Sequence, residues 1–65
     1  MQHAIKNEFQ KKNKLTITEI YQLTANALNK NNDKKFQHSV RGAMYQLSKN
    51  NYVKRISLGL YILNE

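Results

Sequence analysis

Apolar residues recur with a helical period along most of the chain and then crowd together in its tail. Ala4, Ile5 and Phe9 fall at helical spacing, with Lys6, Glu8, Lys11 and Lys12 between them. This predicts an amphipathic helix over 3–13. Asn13-Lys14 interrupts the pattern, and Leu15-Thr16-Ile17 reads as a short strand over 15–17. Thr18 is placed to cap a second helix over 18–29, whose apolar positions are Ile20, Leu23, Ala27 and Leu28. Asn29-Lys30-Asn31-Asn32 is a polar turn, and Asp33 can cap the next helix. Phe36, Val40, Ala43, Met44 and Leu47 form the longest stripe and predict that third helix over 34–49. Asn50-Asn51 is its natural exit, because asparagine tolerates the left-handed conformation. Tyr52, Val53 and Ile56 precede Ser57-Leu58-Gly59, and Leu60, Tyr61 and Ile62 come after it, which predicts strands over 52–56 and 60–64 joined by a turn. An isolated hairpin is marginal in water, so it should lie against the helices, with 15–17 as the third strand. The expected class is α+β, three helices on a short three-stranded antiparallel sheet, in the order helix, strand, helix, helix, strand, turn, strand.

At 65 residues the chain holds one domain, 1–65, and no fold that must enclose a large substrate. Its core is thin, and with no cysteine it has no disulfide to staple it. Hydrophobic residues make up 40%, proline is absent and glycine occurs twice, which favours an ordered domain over a linker. No apolar run reaches the roughly 20 residues of a membrane span, and Met1-Gln2-His3 opens onto polar sequence, not a signal core. The expected location is the cytoplasm, with the nucleoid, or the nucleus of a eukaryote.

Charge changes the picture most. Eleven Lys and Arg face four Asp and Glu, a net +7 that attracts polyanions, of which nucleic acid is the commonest in a cell. With its stripe buried, the third helix presents Lys34, Lys35, Gln37, His38, Arg41, Gly42, Tyr45 and Lys49. Positions 34, 38, 41 and 45 step by three or four and line one ridge. A major groove about 12 Å wide admits such a helix. The planar fork of Arg41 matches O6 and N7 of guanine, Gln37 matches adenine, and His38 and Ser39 can reach bases or phosphates. Gly42 costs about 1 kcal/mol in a helix interior against alanine, so it needs a reason: close approach of a duplex, or packing between helices. The rival reading of this face is a solvated surface like that of any amphipathic helix.

Lys54, Arg55 and Ser57 lie on or beside the hairpin turn and can meet phosphate, although neighbours on a regular strand point to opposite faces. Thr16 and Thr18 could offer a hydroxyl or helix-terminus amide to phosphate, with capping the simpler role for Thr18. Phe9, Tyr21, Phe36, Tyr52 and Tyr61 stand at core-like periods and are assigned to packing, not to base stacking. His3 and His38 with scattered Glu8, Glu19, Asp33 and Glu65 make no zinc-ligand spacing, and neither phosphate-loop nor nucleophile motifs occur. No enzyme activity, cofactor, metal or small-molecule substrate is expected.

The stretch Phe36-Gln37-His38-Ser39-Val40-Arg41-Gly42-Ala43-Met44, then Leu47, Tyr52-Val53 and Gly59-Leu60-Tyr61-Ile62-Leu63, resembles the winged helix-turn-helix superfamily, as does the element order of nearly the whole chain. Locally, an aromatic, a polar pair and Ser-Val-Arg are similar to the recognition helix of forkhead domains, with Gly42 where those place a base-reading histidine. The resemblance implies a duplex-DNA-binding module, in a transcription regulator or a larger protein. Its third helix would enter the major groove, and its wing, 52–64, would touch the backbone or minor groove. Gln37, His38 and Arg41 are then the expected base contacts. Lys34, Lys35, Ser39, Tyr45, Lys54, Arg55 and Ser57 are the expected backbone contacts. A homodimer or fusion to a larger chain would add specificity, with the first helix as the free seam for a dimer. The alternative is a protein-docking or dimerisation winged helix, with Leu58 at the turn as its plug; RNA shares the charge but not a readable groove.

Overall fold

The computed structural model describes residues 1–64; Glu65, one of the four acids, lies outside the described residues. Three helices and three strands occur in the expected order: α1 (Gln2–Lys11), β1 (Lys14–Thr16), α2 (Ile17–Leu28), α3 (Lys34–Lys49), β2 (Val53–Ser57) and β3 (Leu60–Leu63). The bounds of α3 are those expected, 34–49, and the others shift by one or two residues.

The start of α2 is set by Thr16 rather than Thr18. The Glu19 amide donates to Thr16 Oγ1 at 3.2 Å while the Thr16 amide donates to Glu19 Oε1 at 2.9 Å. This reciprocal capping box needs an acid three residues after the cap, which Thr16 has and Thr18 lacks. Thr18 therefore sits inside the first turn. The buried face of α2 is also rotated from the expected one. Ile20, Tyr21, Thr24 and Ala25 are buried, with Ile17 and Leu28 at the margins, whereas Ala27 is exposed and Leu23 is 36% exposed. Counted from Ile17, the period runs through 20, 21, 24, 25 and 28, a complete stripe once Tyr21 and Thr24 are allowed inside. At the other ends, Asp33 Oδ1 accepts from the Phe36 amide at 2.9 Å. Asn29 (φ 55°) and Asn51 (φ 63°) take the left-handed conformation that turns the chain after α2 and α3.

The sheet is antiparallel in the order β1-β3-β2, so the last strand is the middle one. Leu15, Tyr61 and Arg55 form one cross-strand row; Lys14, Ile62 and Lys54 form the next, on the other face. Leu15 is fully buried and Tyr61 packs on the core, so the first row faces the helices and the second faces away. The register shifts between Arg55 and Ser57, making Ile56 an extra residue, a bulge just before the turn. Gly59 (φ 71°) completes the turn, and its carbonyl accepts from the Ile17 amide at 2.7 Å, tying the hairpin to the start of α2.

Ile5 and Phe9 of α1, Leu15 of β1, Ile20 of α2, Val40, Met44 and Leu47 of α3 and Val53 of β2 make one core. Every helix thus has its apolar stripe inside. In particular α1 packs Ile5 and Phe9 against α2 and α3, so it is not a free seam for a dimer. The radius of gyration, 10.6 Å, is that of a compact chain of this length, about 10.7 Å. No helix among the described residues is long and apolar enough to cross a membrane.

Candidate nucleic-acid interface

With Phe36, Val40, Ala43, Met44 and Leu47 buried, the rest of α3 divides into two flanks. One flank meets the hairpin. Ile17, Arg41, Met44, Tyr45, Ser48, Arg55 and Tyr61 line a shallow cleft of about 220 Å3 between α3 and the sheet. Lys34, Gln37, His38 and Arg41 line a second hollow of about 280 Å3 further towards the start of α3. Arg41 belongs to both, so Lys34, Gln37, His38, Arg41, Tyr45 and Arg55 form one continuous surface. Tyr45, in the cleft beside Arg41, is 65% exposed.

The other flank turns towards the start of α1. Lys35 and Ser39 share a hollow with Met1, Lys30 and Asp33, and Ser39 Oγ donates to the Lys35 carbonyl at 3.3 Å within its own helix. Gly42 and Gln46 line a neighbouring hollow with Gln2 and His3. A methyl group on Gly42 would meet nothing within 4 Å, so packing between helices does not explain the glycine. Lys35 and Ser39, expected on the backbone of a duplex, are therefore not brought together with Arg41. Nor is Lys54, whose row with Lys14 and Ile62 faces away from the helices, and Ser57 lies beyond the bulge across from Leu60. Of the hairpin residues expected at phosphate, only Arg55 joins the Arg41 surface. The bulge does not change this, because it comes after Arg55.

Hydrogen bonds separate the ridge residues further. Arg41 Nε donates to Tyr21 Oη at 2.7 Å, a bond between α3 and α2 across 20 residues of sequence. It leaves the four N–H donors on Nη1 and Nη2 for other partners. Gln37 Nε2 donates one N–H to Asn32 Oδ1 at 3.1 Å, which leaves its second N–H and Oε1 for another partner. The period of Tyr21 assigns it to packing alone. Its ring does pack, at 6% exposure, but a buried tyrosine hydroxyl seeks a partner, and that is the signal for a second role.

Charge is distributed unevenly. Glu8 pairs with Lys11 at 3.7 Å, Glu19 pairs with Lys12 at 3.2 Å, and Asp33 caps α3. Lys6 lies 5.0 Å from the centroid of the Tyr52 ring. The Thr16 amide, and after it Lys12, holds the Glu19 carboxyl below the ordinary glutamate value. At the start of α2, the Ile17 amide is taken by the Gly59 carbonyl, the Glu19 amide by the Thr16 hydroxyl and the Thr16 amide by the Glu19 carboxylate. The Thr16 hydroxyl and amide are thus both engaged in capping, and the Glu19 carboxylate adds a negative charge, paired with Lys12, beside any phosphate there. By contrast, α3, β2 and β3 contain no acid, and among the described residues no ion pair involves Lys34, Lys35, Arg41, Lys49, Lys54 or Arg55.

Comparison with protein-family models, with curated proteins and with solved structures gives no match to this chain.

Proposed function

We propose that the chain is a winged-helix module that binds duplex DNA, with α3 in the major groove and the β2–β3 hairpin as the wing. The observation that carries this reading is the acid-free surface on which Arg41 is held by Tyr21, with Lys34, Gln37, His38, Tyr45 and Arg55 around it. Glu8 and Glu19 are paired with Lys11 and Lys12 and Asp33 is taken up at the cap of α3, so the cations of α3 and the hairpin keep their positive field, to which a polyanion is drawn. Arg41 reads a base, Gln37 and His38 reach the neighbouring ones, and Lys34, Tyr45 and Arg55 set the register on the backbone. No step of this activity is catalytic and none needs a cofactor. One helix reads few base pairs, so a second copy or a larger chain supplies the rest of the specificity, in a regulator acting where the DNA is: the nucleoid or the nucleus.

Fluorescence anisotropy with a random duplex of about 20 base pairs, titrated across salt, tests the reading. About five phosphate contacts give a log-log slope of about −4 or steeper. Against a selected site, Arg41→Ala is expected to cost about 1–3 kcal/mol and to flatten preference at one base pair. Equal binding of specific and random duplexes by parent and variant would remove Arg41 from the bases. Tighter binding to duplex RNA than to DNA would replace the groove-reading mechanism.

A protein-docking role is favoured by a different observation: Leu58 at the hairpin turn is 93% exposed and Ile56 beside it 45% exposed. Absence of duplex binding even at low salt would turn the search to a protein partner at that tip.

A further inference from the structure

We infer that Tyr21 is a positioning residue for base reading: its hydroxyl fixes the Arg41 guanidinium so that Nη1 and Nη2 meet guanine end-on, making G·C the pair selected at that position. This role rests on duplex binding as proposed above and adds how the contact is made specific. An arginine can address O6 and N7 of guanine either side-on, through Nε and one Nη, or end-on, through both Nη atoms. The 2.7 Å bond from Nε to Tyr21 Oη occupies the side-on donor and leaves the end-on pair.

The anchor is rigid where the arginine is not. Tyr21 is 6% exposed in the core, whereas Arg41 is exposed. A long side chain tied at Nε loses much of its rotamer freedom before the duplex arrives, so less order has to be imposed on binding. The other ridge residues are set differently. Gln37 is turned towards Asn32, and among the described residues no hydrogen bond orients Lys34 or His38. Discrimination between bases therefore concentrates at Arg41.

The test begins with selection of preferred duplexes from a random pool by the full chain, then affinity measurements on the parent, Tyr21→Phe, Arg41→Ala and the double variant. The parent should prefer G·C at one position by about 5- to 150-fold, the span of one good bidentate contact. Tyr21→Phe keeps the ring in the core, so random-duplex affinity and salt slope should stay at the parent's values. The preference at that position should fall at least about threefold. In the Arg41→Ala background, Tyr21→Phe should change nothing further, because the group it positions is gone.

Retention of the full preference by Tyr21→Phe overturns the inference, and so does an equal loss in both backgrounds. Duplex binding without any base preference overturns the positioning role and leaves the DNA reading standing, whereas no duplex binding overturns both. A measurement on the unliganded parent guards against a variant that folds poorly. By NMR, the Arg41 Nε–H proton should exchange with water more slowly than that of Arg55, and equal exchange removes the tether.

Discussion

Tyr21 and Thr24 occupy the same buried face of α2 and differ in what their hydroxyls find. Tyr21 reaches Arg41, but Thr24 is fully buried and its Oγ1 has no hydrogen-bond partner among the described residues. An unsatisfied buried hydroxyl costs about 1–3 kcal/mol, and valine has nearly the same shape. Thr24→Val should raise unfolding stability by about 1 kcal/mol, read from the urea midpoint at unchanged slope. A loss of stability would mean that the hydroxyl has a partner after all. These two residues also mark where the sequence is hardest to read. Each carries a polar atom on a side chain that is mostly hydrocarbon; the period of Tyr21 places its ring inside, but Thr24 gives no apolar signal, and the stripe read from aliphatic residues alone falls on Leu23 and Ala27. The Tyr21–Arg41 bond has no local pattern at all, because it joins two helices that only packing brings together.

Elements whose signals are local are legible. The stripe of α3 is built wholly from apolar side chains, and its bounds are readable to the residue. For α2 the Thr16-x-x-Glu19 pattern is present in the sequence, yet Thr18 lies nearer the apolar run and draws the cap to itself. The capping box has a measurable weight. Thr16→Ala should cost about 1 kcal/mol, the usual worth of such a cap. Its pH dependence comes from the lowered Glu19 pKa. A carboxyl with a folded value below its unfolded one contributes stability that is present in full above the unfolded value. That contribution is lost as pH falls through the folded value. Acidification below the ordinary glutamate range should therefore weaken the parent more than Glu19→Gln, compared by thermal unfolding at matched ionic strength. Parallel pH profiles would show that the carboxylate does not matter to the cap.

At the scale of the whole molecule, charge decides which face meets a polyanion. Opposite orientation of Lys54 and Arg55 is readable from strand alternation; which of them joins α3 is not, because that depends on the pairing Arg55↔Tyr61 and Lys54↔Ile62. If α3 and the hairpin meet the duplex as proposed, Arg55→Ala weakens binding to every duplex alike and makes the salt slope shallower by about one. Lys54→Ala, on the outer face, should leave both unchanged. The reverse result in the same anisotropy titrations would place the duplex on the other side of the sheet.

The order β1-β3-β2 puts the last-made strand between the other two. On a ribosome adding about 5–20 residues per second, roughly 2–9 s separate synthesis of Thr16 from that of Leu60. Through that interval β1 exists with nothing to pair with, and β2 emerges equally alone. The sheet, and with it the hairpin's bond to the start of α2, can close only after Leu60–Leu63 has been made, because β3 is the strand that pairs with both of the others. A chain that lacks Leu60–Leu63 has nothing to join β1 to β2 and no Tyr61 opposite Arg55, so the surface proposed for the duplex can form only once this segment has been made.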